Sequence, residues 1–435
     1  MKFSGESPES MPAFPRIMNH QKERHVVIIG GGIIGLCSAY YALQRGLRVT
    51  IWEREQETGD NCSLGNAGMV VPSHFIPLAA PGMLAKGLRW MFNPQSPFYV
   101  KPRLSPALMR WGWLFYRHAN SRHVDACKQL LLDLNLQSRA LFADLAKESN
   151  FDLQQRGLLM LCNTQHGLDE EAAVASMAHE LGARAEVLDA VATAKMDPSI
   201  TMNVKGSVWF PDDCHLNPQA FSAAMKQRVR AAGGEICYGK SLESIESSDG
   251  RVHAIHSQGE RHVVDQLLVA GGSWSAEILR QLGIHLPLQA GKGYSLTLPQ
   301  PTQLPQLCSI FCEAKVAITP MNGTLRFAGT MEVGDLSLNI NPQRVKGIIR
   351  SIQPYFPAFS EKDFADITPW AGLRPVSPDG MPYIGRAPRH ENVMIATGHA
   401  MMGLSLAPIT GKIMADLLTQ ATPSFAMNRL AVDRF

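Results

Sequence analysis

The sequence predicts an α/β protein with two lobes, one of which is built on a parallel β-sheet flanked by helices. Three observations support this fold. An apolar, β-branched segment at residues 26–29 ends in glycines and leads into a helical pattern, which is typical of a strand, a tight turn and a helix. Similar junctions recur near residues 269–274 and 393–403. The chain of 435 residues is also too long for one small core, so a second lobe is expected.

The first junction has the glycine spacing of a turn that binds a pyrophosphate. Gly30 permits the tight turn, Gly32 lets backbone N–H groups approach the phosphates, and Gly35 brings the helix close to the strand. The helix N-terminus then faces the negative charge. A second strand at 49–52 ends at Glu53, about 20 residues past the glycines, where a carboxylate can accept from a ribose. A dinucleotide site is the interpretation, and a plain βα turn is the alternative.

Composition excludes several other classes of protein. Hydrophobic residues make up 45% and charged residues 18% of the chain, and the net charge of +3 gives no basis for nucleic-acid binding. The eight cysteines form no CxxC pair, which favours reduced thiols in a cytoplasmic protein. Neither Cys308 and Cys312 nor the histidines His253, His256 and His262 have the partners of a metal site, so no metal is predicted.

Two segments bear on where in the cell the protein is found. Residues 1–24 are polar, contain several prolines and lack the apolar core of a secretory signal, so we expect a disordered extension. No apolar stretch predicts a transmembrane helix. Residues 69–116 are apolar and rich in aromatic side chains. They predict either a core-forming insertion or a surface that contacts a membrane or a quinone, which would hold a cytoplasmic protein peripherally on the inner face of the cytoplasmic membrane.

The rest of the chain alternates helices and strands. Helices are expected at 124–150, 169–182, 217–232, 342–353 and 403–418. Strands are expected at 156–164, 235–238, 242–247, 252–257 and 262–270, and again between 295 and 330. This order predicts a nucleotide-binding lobe assembled from residues 25–72, 208–288 and 366–435. Residues 73–207 and 289–365 then form the substrate-binding lobe.

The C-terminal junction favours a flavin over a nicotinamide. A nicotinamide enzyme usually completes its nucleotide lobe in one block, whereas here a final strand–glycine–helix unit lies at the end of the chain. The first turn of a helix over 403–418 would offer N–H groups and partial positive charge to the electron-rich edge of a reduced flavin. An ordinary terminal helix is the alternative.

Arg374 is the candidate group for binding a substrate carboxylate. It lies in a segment whose glycines and prolines restrict the backbone, Trp370 to Gly385. A guanidinium can hold a carboxylate through two parallel hydrogen bonds. The alternative is a structural ion pair.

These residues give the chain a resemblance to the FAD-dependent D-amino-acid oxidase/dehydrogenase superfamily, and within it to the bacterial D-amino-acid dehydrogenases. The resemblance extends from about residue 24 to 418. Its further motifs are Gly65-Asn66-Ala67-Gly68-Met69, Pro77 to Gly82, Lys292 to Thr297, Gly372 to Pro375, and Gly398-His399. It implies a Rossmann-like FAD-binding lobe of the glutathione-reductase type, built from discontinuous segments. It also implies an α+β substrate lobe with a mostly antiparallel sheet.

The resemblance also implies the site. Arg374 would hold the substrate carboxylate, and FAD would bind non-covalently. The expected FAD contacts are Gly30, Gly32, Ile33, Ile34, Gly35, Glu53, Arg54, Ser63, Asn66, Ala67, Gly68, Met69, Leu242, Ala270, Gly271, Arg374, Gly398, His399, Met402, Gly403 and Leu404.

Four further side chains have two interpretations each. Tyr294 would bind the substrate carboxylate or hold a structural hydroxyl, and Met331 would line the pocket or fill the core. Arg326 would lie near the flavin or pair with a surface acid. His399 would polarise the flavin or brace its glycine turn. With Arg374, we take Tyr294 and Met331 as the catalytic set.

The expected reaction is oxidative deamination of a D-amino acid to a 2-oxo acid and ammonia. Hydride would pass from Cα to N5 of FAD, and the electrons to a quinone or another acceptor. The segment from Gly398 to Pro408 is closer to glycine and sarcosine oxidases, yet Met401 stands where glycine oxidases have arginine. An oxidase or dehydrogenase of glycine, sarcosine, D-proline or hydroxyproline is therefore one alternative. A flavin electron-transfer subunit of a larger complex is another. The sequence leaves the oligomeric state open.

Overall fold

The computed structural model describes residues 24–83, 95–101 and 103–435. The extension expected at 1–24 lies, apart from Arg24, outside the described residues, so it stays a prediction. Part of the aromatic segment, residues 84–94, also lies outside them.

The first of two large sheets has the predicted parallel core. Its six strands in spatial order are β19 (Tyr383–Arg386), β20 (Val393–Thr397), β13 (Gln266–Val269), β1 (His25–Ile29), β2 (Arg48–Trp52) and β9 (Glu235–Cys237). All neighbours are parallel except β19, which runs antiparallel to β20. The central strands are almost wholly buried, as expected for a parallel sheet covered on both faces.

Helices from opposite ends of the chain cover this sheet. Helix α1 (Ile33–Gln44) follows β1, and the last helix, α9 (Ala407–Leu418), packs against it. A Cβ added to Gly411 would lie 2.6 Å from the backbone of Cys37, so this glycine permits the close approach of the two helices. The predicted Rossmann-like lobe built from discontinuous segments is thereby confirmed.

The second large sheet has nine strands and is mostly antiparallel, as predicted. The strands in spatial order are β18 (Trp370–Val376), β14 (Gln289–Leu298), β17 (Thr324–Gly334), β16 (Val316–Met321), β15 (Cys308–Phe311), β5 (Leu158–Cys162), β7 (Gly206–Phe210) and β6 (Glu186–Asp189), with β4 (Phe98–Val100) beside β17. Only the β15–β5 and β17–β4 pairs are parallel among the pairs in this sheet that the structure describes.

One predicted strand is wrong. Residues 262–270 were expected to form a single strand, but they belong to two sheets. Strand β12 (Glu260–Val263) completes a small antiparallel sheet with β10 (Ser244–Ser248) and β11 (Arg251–Ser257), and β13 starts only at Gln266. The chain changes sheets at residues 264–265, where Val264 N–H still bonds to His253 while Asp265 Oδ2 already accepts from His25 N–H. The polar pair Asp265-Gln266 interrupts the apolar run at this break, and the sequence analysis did not use that signal.

The remaining described helices are α2 (Pro106–His118), α3 (Ser121–Ala146), α4 (Gln165–Glu180), α5 (Ala190–Met196), α6 (Pro218–Ala231), α7 (Ser275–Arg280) and α8 (Pro342–Ile352). Of these, α3, α4, α6 and α8 match expected helices to within four residues at each end, α7 follows the glycine junction near 269–274, and α2 and α5 were not expected. Three of them start with proline after a capping side chain, namely Ser105, Asn217 and Asn341, each of which accepts from an N–H of the first turn.

Sheet pairing adds detail at two predicted lobe boundaries. Strand β7 starts two residues before the boundary at 208 and pairs with β5 and β6 of the nine-stranded sheet. Strand β18 follows the boundary at 366, yet it pairs with β14 of that same sheet. The boundaries themselves stay predictions.

Helix α2 lies in the aromatic segment and has features of both interpretations, the core-forming insertion and the apolar surface. Trp111 and Phe115 are buried and stack on each other, with ring centroids 5.3 Å apart. Trp113 and Tyr116, on the opposite face, stack at 5.7 Å and are about 60% exposed. One face of the helix therefore belongs to the core and the other is an apolar surface. No helix in the described ranges combines the length and apolarity needed to cross a bilayer.

The C-terminus is held by a buried ion pair. The Arg434 guanidinium donates to both carboxylate oxygens of Asp379, at 2.7 and 2.9 Å, and lies 3.9 Å from the centroid of the Tyr383 ring. Its remaining donors bond to backbone carbonyls, including those of Ala431 and Met381. Because both charges are removed from water, the pair depends on each partner.

Replacing Arg434 by Met is expected to lower the free energy of unfolding by about 3–5 kcal/mol, because Asp379 becomes an uncompensated buried charge. Denaturant unfolding followed by circular dichroism measures this. Arg184→Met is the matched control, since it breaks the exposed Arg184–Asp212 pair, worth about 0–1 kcal/mol. A loss below about 1 kcal/mol in the Arg434 variant would contradict the expectation.

Candidate active site

A cavity of about 1100 Å³ lies between the glycine turn after β1 and the strands β14, β17 and β18 of the larger sheet. The segment after β20 and the loop at residues 61–69 also line it. The volume exceeds the roughly 300–1,000 Å³ of an ordinary small-molecule pocket. There is therefore room for a dinucleotide together with a substrate.

The glycine turn has the close contacts that its spacing predicts. Gly30 has φ +112°, and a Cβ there would lie 2.5 Å from the carbonyl oxygen of Ala270. A Cβ on Gly35 would overlap the carbonyl oxygen of Gly30, so α1 can pack against the turn only with glycine at this position. Both glycines are required by space in addition to backbone conformation.

Two polar side chains complete the turn. Glu53 accepts from the N–H of Gly31 at 2.7 Å and from that of Glu55 at 3.0 Å, and it lines the cavity as predicted. Ser63 Oγ accepts from the N–H of Ile33 at 3.1 Å, at the first turn of α1. Gly32, which precedes this turn, has no side chain to cap it. The helix N-terminus therefore faces the cavity with the partial positive charge that suits a phosphate.

Arg326 corrects the sequence analysis. Its Nη1 donates to the carbonyls of Leu64 and Asn66, at 3.0 and 2.7 Å, and its Nε donates to Thr297 at 3.0 Å. Burial lowers the pKa of this guanidinium to about 10. Arg326 thus pairs with no surface acid among the described residues. It instead fixes the loop at 61–68, which the sequence analysis did not foresee.

Trp370 also holds this loop and was missed. Its indole ring lies between Gly65 and Gly372, so that a Cβ on either glycine would overlap the ring. Its Nε1 donates to Asp60. The sequence analysis noted Gly65 and Gly372, but in two separate motifs. Neither motif alone shows that both glycines contact the ring of Trp370.

Arg374 lies on β18 and lines the cavity. Its guanidinium covers the backbone of Gly293, where any Cβ would overlap it. Nη1 donates to the carbonyl of Thr330 at 2.7 Å. Thr330 has φ +66°, an unfavourable value for a β-branched residue, at an irregular point in the β14–β17 pairing. Across the described part of the chain, no carboxylate pairs with Arg374, and burial lowers the pKa of its guanidinium.

The C-terminal segment differs from the prediction. The last helix starts at Ala407, not at Gly403, because residues 400–402 form a short 3₁₀ turn and residues 403–406 form further turns. The expected first helical turn is therefore not the element at the cavity. Met402, Gly403 and Leu404 nevertheless line it.

His399 is buried beside the cavity. Its Nε2 shares a 3.0 Å hydrogen bond with the hydroxyl of Thr410 in α9, and burial lowers its pKa to about 3, so the ring is neutral. Its Nδ1 is buried with no partner among the atoms described. A polar group of a bound ligand would satisfy this atom, whereas the bond to Thr410 supports the bracing role.

Tyr294 lines the cavity, but its hydroxyl is used elsewhere. The hydroxyl donates to Glu332 at 3.2 Å, and the ring is buried in the core behind β14. The bond to Glu332 supports the structural alternative, and the carboxylate-binding role of Tyr294 stays a prediction. Met331 is both buried in a core cluster and part of the cavity lining.

The structure brings most of the expected FAD contacts to one cavity. Those that line it are Gly30, Gly32, Ile33, Ile34, Glu53, Arg54, Ser63, Asn66, Ala67, Met69, Leu242, Ala270, Gly271, Arg374, His399, Met402, Gly403 and Leu404. Gly35, Gly68 and Gly398 do not line it. They act through the backbone, Gly35 by close packing and the other two by positive φ. His74, Lys240, Lys315 and Thr330 line the cavity and were not foreseen.

Together these features define a class: an oxidoreductase that binds a dinucleotide between a Rossmann-like lobe and a second sheet. FAD fits the cavity, because the glycine turn after β1 leaves its backbone open to a pyrophosphate and the unpartnered Nδ1 of His399 offers a polar atom from the C-terminal segment. Among the described residues, no cluster of three or more His, Cys, Asp or Glu side chains could hold a metal ion.

The chain belongs to the DAO family of FAD-dependent oxidoreductases, whose sequence profile matches residues 25–417. FAD is therefore the cofactor, as predicted. The chain is 32% identical over 419 residues to a D-amino acid dehydrogenase of Methylobacterium radiotolerans, covering 94% of this chain and 99% of that protein.

Solved structures with the same fold include a glycine oxidase from Geobacillus kaustophilus, with a TM-score of 0.75, 22% identity, and coverage of 95% of this chain and 99% of that one. An L-proline dehydrogenase from P. horikoshii has a TM-score of 0.71 at 16% identity, with 95% and 98% coverage. Both likenesses concern the fold.

Glu53→Ala is expected to weaken FAD binding roughly tenfold to a hundredfold, because a charge-assisted hydrogen bond contributes about 1.5–3 kcal/mol. The flavin-to-protein ratio after dialysis, and titration of the apoprotein with FAD, measure the change. Glu57→Ala is the control, since Glu57 pairs with Arg230 on the surface. Equal FAD retention in the two variants would contradict the role of Glu53.

Proposed function

We propose that this protein oxidises the Cα–N bond of an amino acid, with D-amino acids as its substrate class. The electrons then pass to a quinone or another redox partner. The observation that carries the proposal is the guanidinium of Arg374, which lines the cavity with no carboxylate partner in the described ranges. The structural ion pair considered as the alternative therefore lacks support. FAD, when bound, supplies the acceptor for the hydride that leaves Cα.

The role of Arg374 is to bind and orient the substrate. The substrate carboxylate would supply the negative charge that the site lacks, and it would accept two parallel hydrogen bonds from the guanidinium. The Nη1 bond to Thr330 and the contact with Gly293 restrict the guanidinium to one orientation. With the carboxylate held, Cα has a defined position, and the lone pair of the free amine forms an imine as hydride leaves. Water then yields a 2-oxo acid and ammonia, so positioning accounts for most of the catalysis.

An anaerobic screen tests the proposed reaction. The holoenzyme is mixed with D-, L- and cyclic amino acids, glycine and sarcosine, and loss of flavin absorbance is followed. Fast bleaching by a D-amino acid supports the proposal, whereas preference for a secondary or cyclic amino acid supports the first alternative. Failure of every amino acid would favour an electron-transfer subunit. Oxygen consumption with peroxide release then separates an oxidase from a quinone-linked dehydrogenase.

Arg374→Ala is expected to raise the KM for the best amino acid by about a hundredfold or more while FAD stays bound, because a desolvated ionic contact worth several kcal/mol is lost. Arg374→Lys is expected to give an intermediate KM, since an ammonium lacks the planar fork. Steady-state kinetics and the flavin-to-protein ratio measure both effects.

Gly293→Ala provides a matched variant that keeps the charge. Its Cβ would displace the guanidinium, so the KM is expected to rise although Arg374 is intact. An unchanged KM in Arg374→Ala would refute the carboxylate site.

We further propose that the exposed face of α2 contacts the anionic inner face of the cytoplasmic membrane, where a quinone acceptor dissolves. Leu104, Met109, Trp113 and Tyr116 are exposed on this segment. Residues 61–124 contain no Asp or Glu, and Arg110, Arg117 and Arg122 are exposed around the apolar face. Aromatic and apolar side chains flanked by arginine are typical of helices that lie in a lipid interface.

The double variant Trp113→Ser/Tyr116→Ser is expected to lose most of its binding to phosphatidylglycerol vesicles in sedimentation assays, since it removes the inserted aromatic rings. Binding of the unmodified protein is expected to weaken with salt and with phosphatidylcholine. Val191→Ser/Val263→Ser removes equally exposed apolar side chains elsewhere and is the control. Equal vesicle binding by both double variants would rule out α2 as the contact.

A further inference from the structure

A hydrogen-bonded chain joins a buried carboxyl group to the cavity wall. Asp213 is fully buried in the turn between β7 and the short strand β8 (Cys214–His215). Its Oδ1 accepts from the N–H of Ser73 at 3.0 Å, and its Oδ2 accepts from the Ser73 hydroxyl at 2.5 Å. The same hydroxyl lies 3.0 Å from Nδ1 of His74, which lines the cavity. The chain is therefore Asp213, Ser73, His74 and then the cavity.

The second nitrogen of His74 points away from this chain. No described protein atom bonds to its Nε2, and this nitrogen is not among the fully buried polar atoms without a partner. Since the Ser73 hydroxyl donates to the carboxylate, it accepts from Nδ1–H of His74. That tautomer leaves the lone pair of Nε2 available to a ligand in the cavity. The reaction described above uses none of these three side chains.

The pKa values of His74 and Asp213 favour passing a proton on to Asp213 over holding it on the imidazole of His74. Burial, with a contribution from Lys315, lowers the pKa of His74 to about 4. Burial, opposed by the two bonds from Ser73, raises the pKa of Asp213 to about 7. The charged groups that face Asp213 are Asp212 beside it and Arg139 from α3, and the thiols of Cys214 and Cys308 are close. A proton that enters at His74 is therefore held more stably at Asp213.

We infer that His74, Ser73 and Asp213 form a proton relay that takes a proton from the ammonium group of the amino-acid substrate. This inference rests on the proposed function. An amino acid arrives mostly as the ammonium form, which has no lone pair to assist the departure of hydride. Removing that proton inside the cavity prepares the reactive amine.

The transfer balances without another reactant. One N–H bond of the substrate ammonium breaks as the Nε2–H bond of His74 forms. The Nδ1–H bond of His74 breaks as a new O–H bond forms on Ser73, and the original Ser73 O–H bond breaks as Oδ2 of Asp213 is protonated. The substrate becomes a neutral amine and Asp213 a neutral acid. His74 exchanges one tautomer for the other and is uncharged before and after.

The relay predicts a distinctive pH profile. Asp213 can accept a proton only while ionised, so kcat/KM is expected to fall as the pH drops through about 7. We call this fall in kcat/KM the acidic limb of the profile. In Asp213→Asn and His74→Gln the limb is expected to move up to the pKa of the substrate amine. Flavin reduction near neutral pH is then slower by about a hundredfold, whereas the rates converge with the unmodified enzyme at high pH.

Two further variants separate the relay from a structural role. Ser73→Ala is expected to behave like Asp213→Asn, and Ser73→Thr, which keeps the hydroxyl, is expected to restore the limb near pH 7. Asp212→Asn removes a neighbouring negative charge that raises the pKa of Asp213, so the acidic fall in kcat/KM is expected to persist and to shift only to lower pH. A limb that stays near pH 7 in Asp213→Asn overturns the relay.

A second measurement does not depend on turnover. Infrared difference spectra of the oxidised holoenzyme, recorded without substrate as the pH is lowered through about 7, are expected to show the carbonyl band of a protonated carboxylic acid. The band should be absent in Asp213→Asn and displaced in His74→Gln. If no amino acid bleaches the flavin, the proposed reaction fails, and this spectrum still decides whether Asp213 is the proton acceptor. Absence of the band in the unmodified protein would overturn the inference.

Discussion

The site depends on one positive charge that the protein itself does not neutralise. Arg374 is held over the bare backbone of Gly293 and bonded to the carbonyl of Thr330, with no carboxylate partner in the described structure. Burying a charge in this way is unfavourable unless a partner of opposite sign completes it. The unusual φ of Thr330 and the glycine at 293 both maintain this arrangement, which is consistent with the acidic ligand proposed for the site.

Comparison of three arginines makes this argument specific. Arg434 is neutralised by Asp379 and fixes the C-terminus. Arg326 is satisfied by carbonyls and a hydroxyl and fixes the loop at 61–68. Arg374 alone of the three faces the cavity. The three side chains have the same chemistry, but their partners give structural roles to Arg434 and Arg326 and leave Arg374 without a carboxylate, which supports the binding role proposed for it.

Features that depend on neighbouring residues in the sequence were predicted well, whereas contacts between distant segments could not be predicted from the sequence. The glycine turn, Glu53 and the capped helices after Asn217 and Asn341 depend on neighbours in the sequence, and the structure has them where expected. Arg374 was singled out because its motif is local, and the structure places it in the cavity lining.

The other differences depend on contacts between distant segments. Arg326 and Trp370 reach a loop some 260 to 310 positions earlier in the chain, and Asp213 reaches Ser73 across 140. The start of the last helix at Ala407 is an exception, because Pro408 in its first turn is a local signal that the sequence analysis did not use. Periodicity describes which residues share a face, and it gives no information on which faces meet.

The ring of Trp370 between two glycines has a further consequence. Trp52 and Trp274 also line the cavity, so three of the seven tryptophans of the chain lie at the flavin site. Indole emission overlaps the near-ultraviolet absorption of an isoalloxazine, and energy transfer over such short separations is efficient. The tryptophan fluorescence of the protein therefore reports FAD binding. It is quenched when FAD fills the cavity and stronger when the cavity is empty.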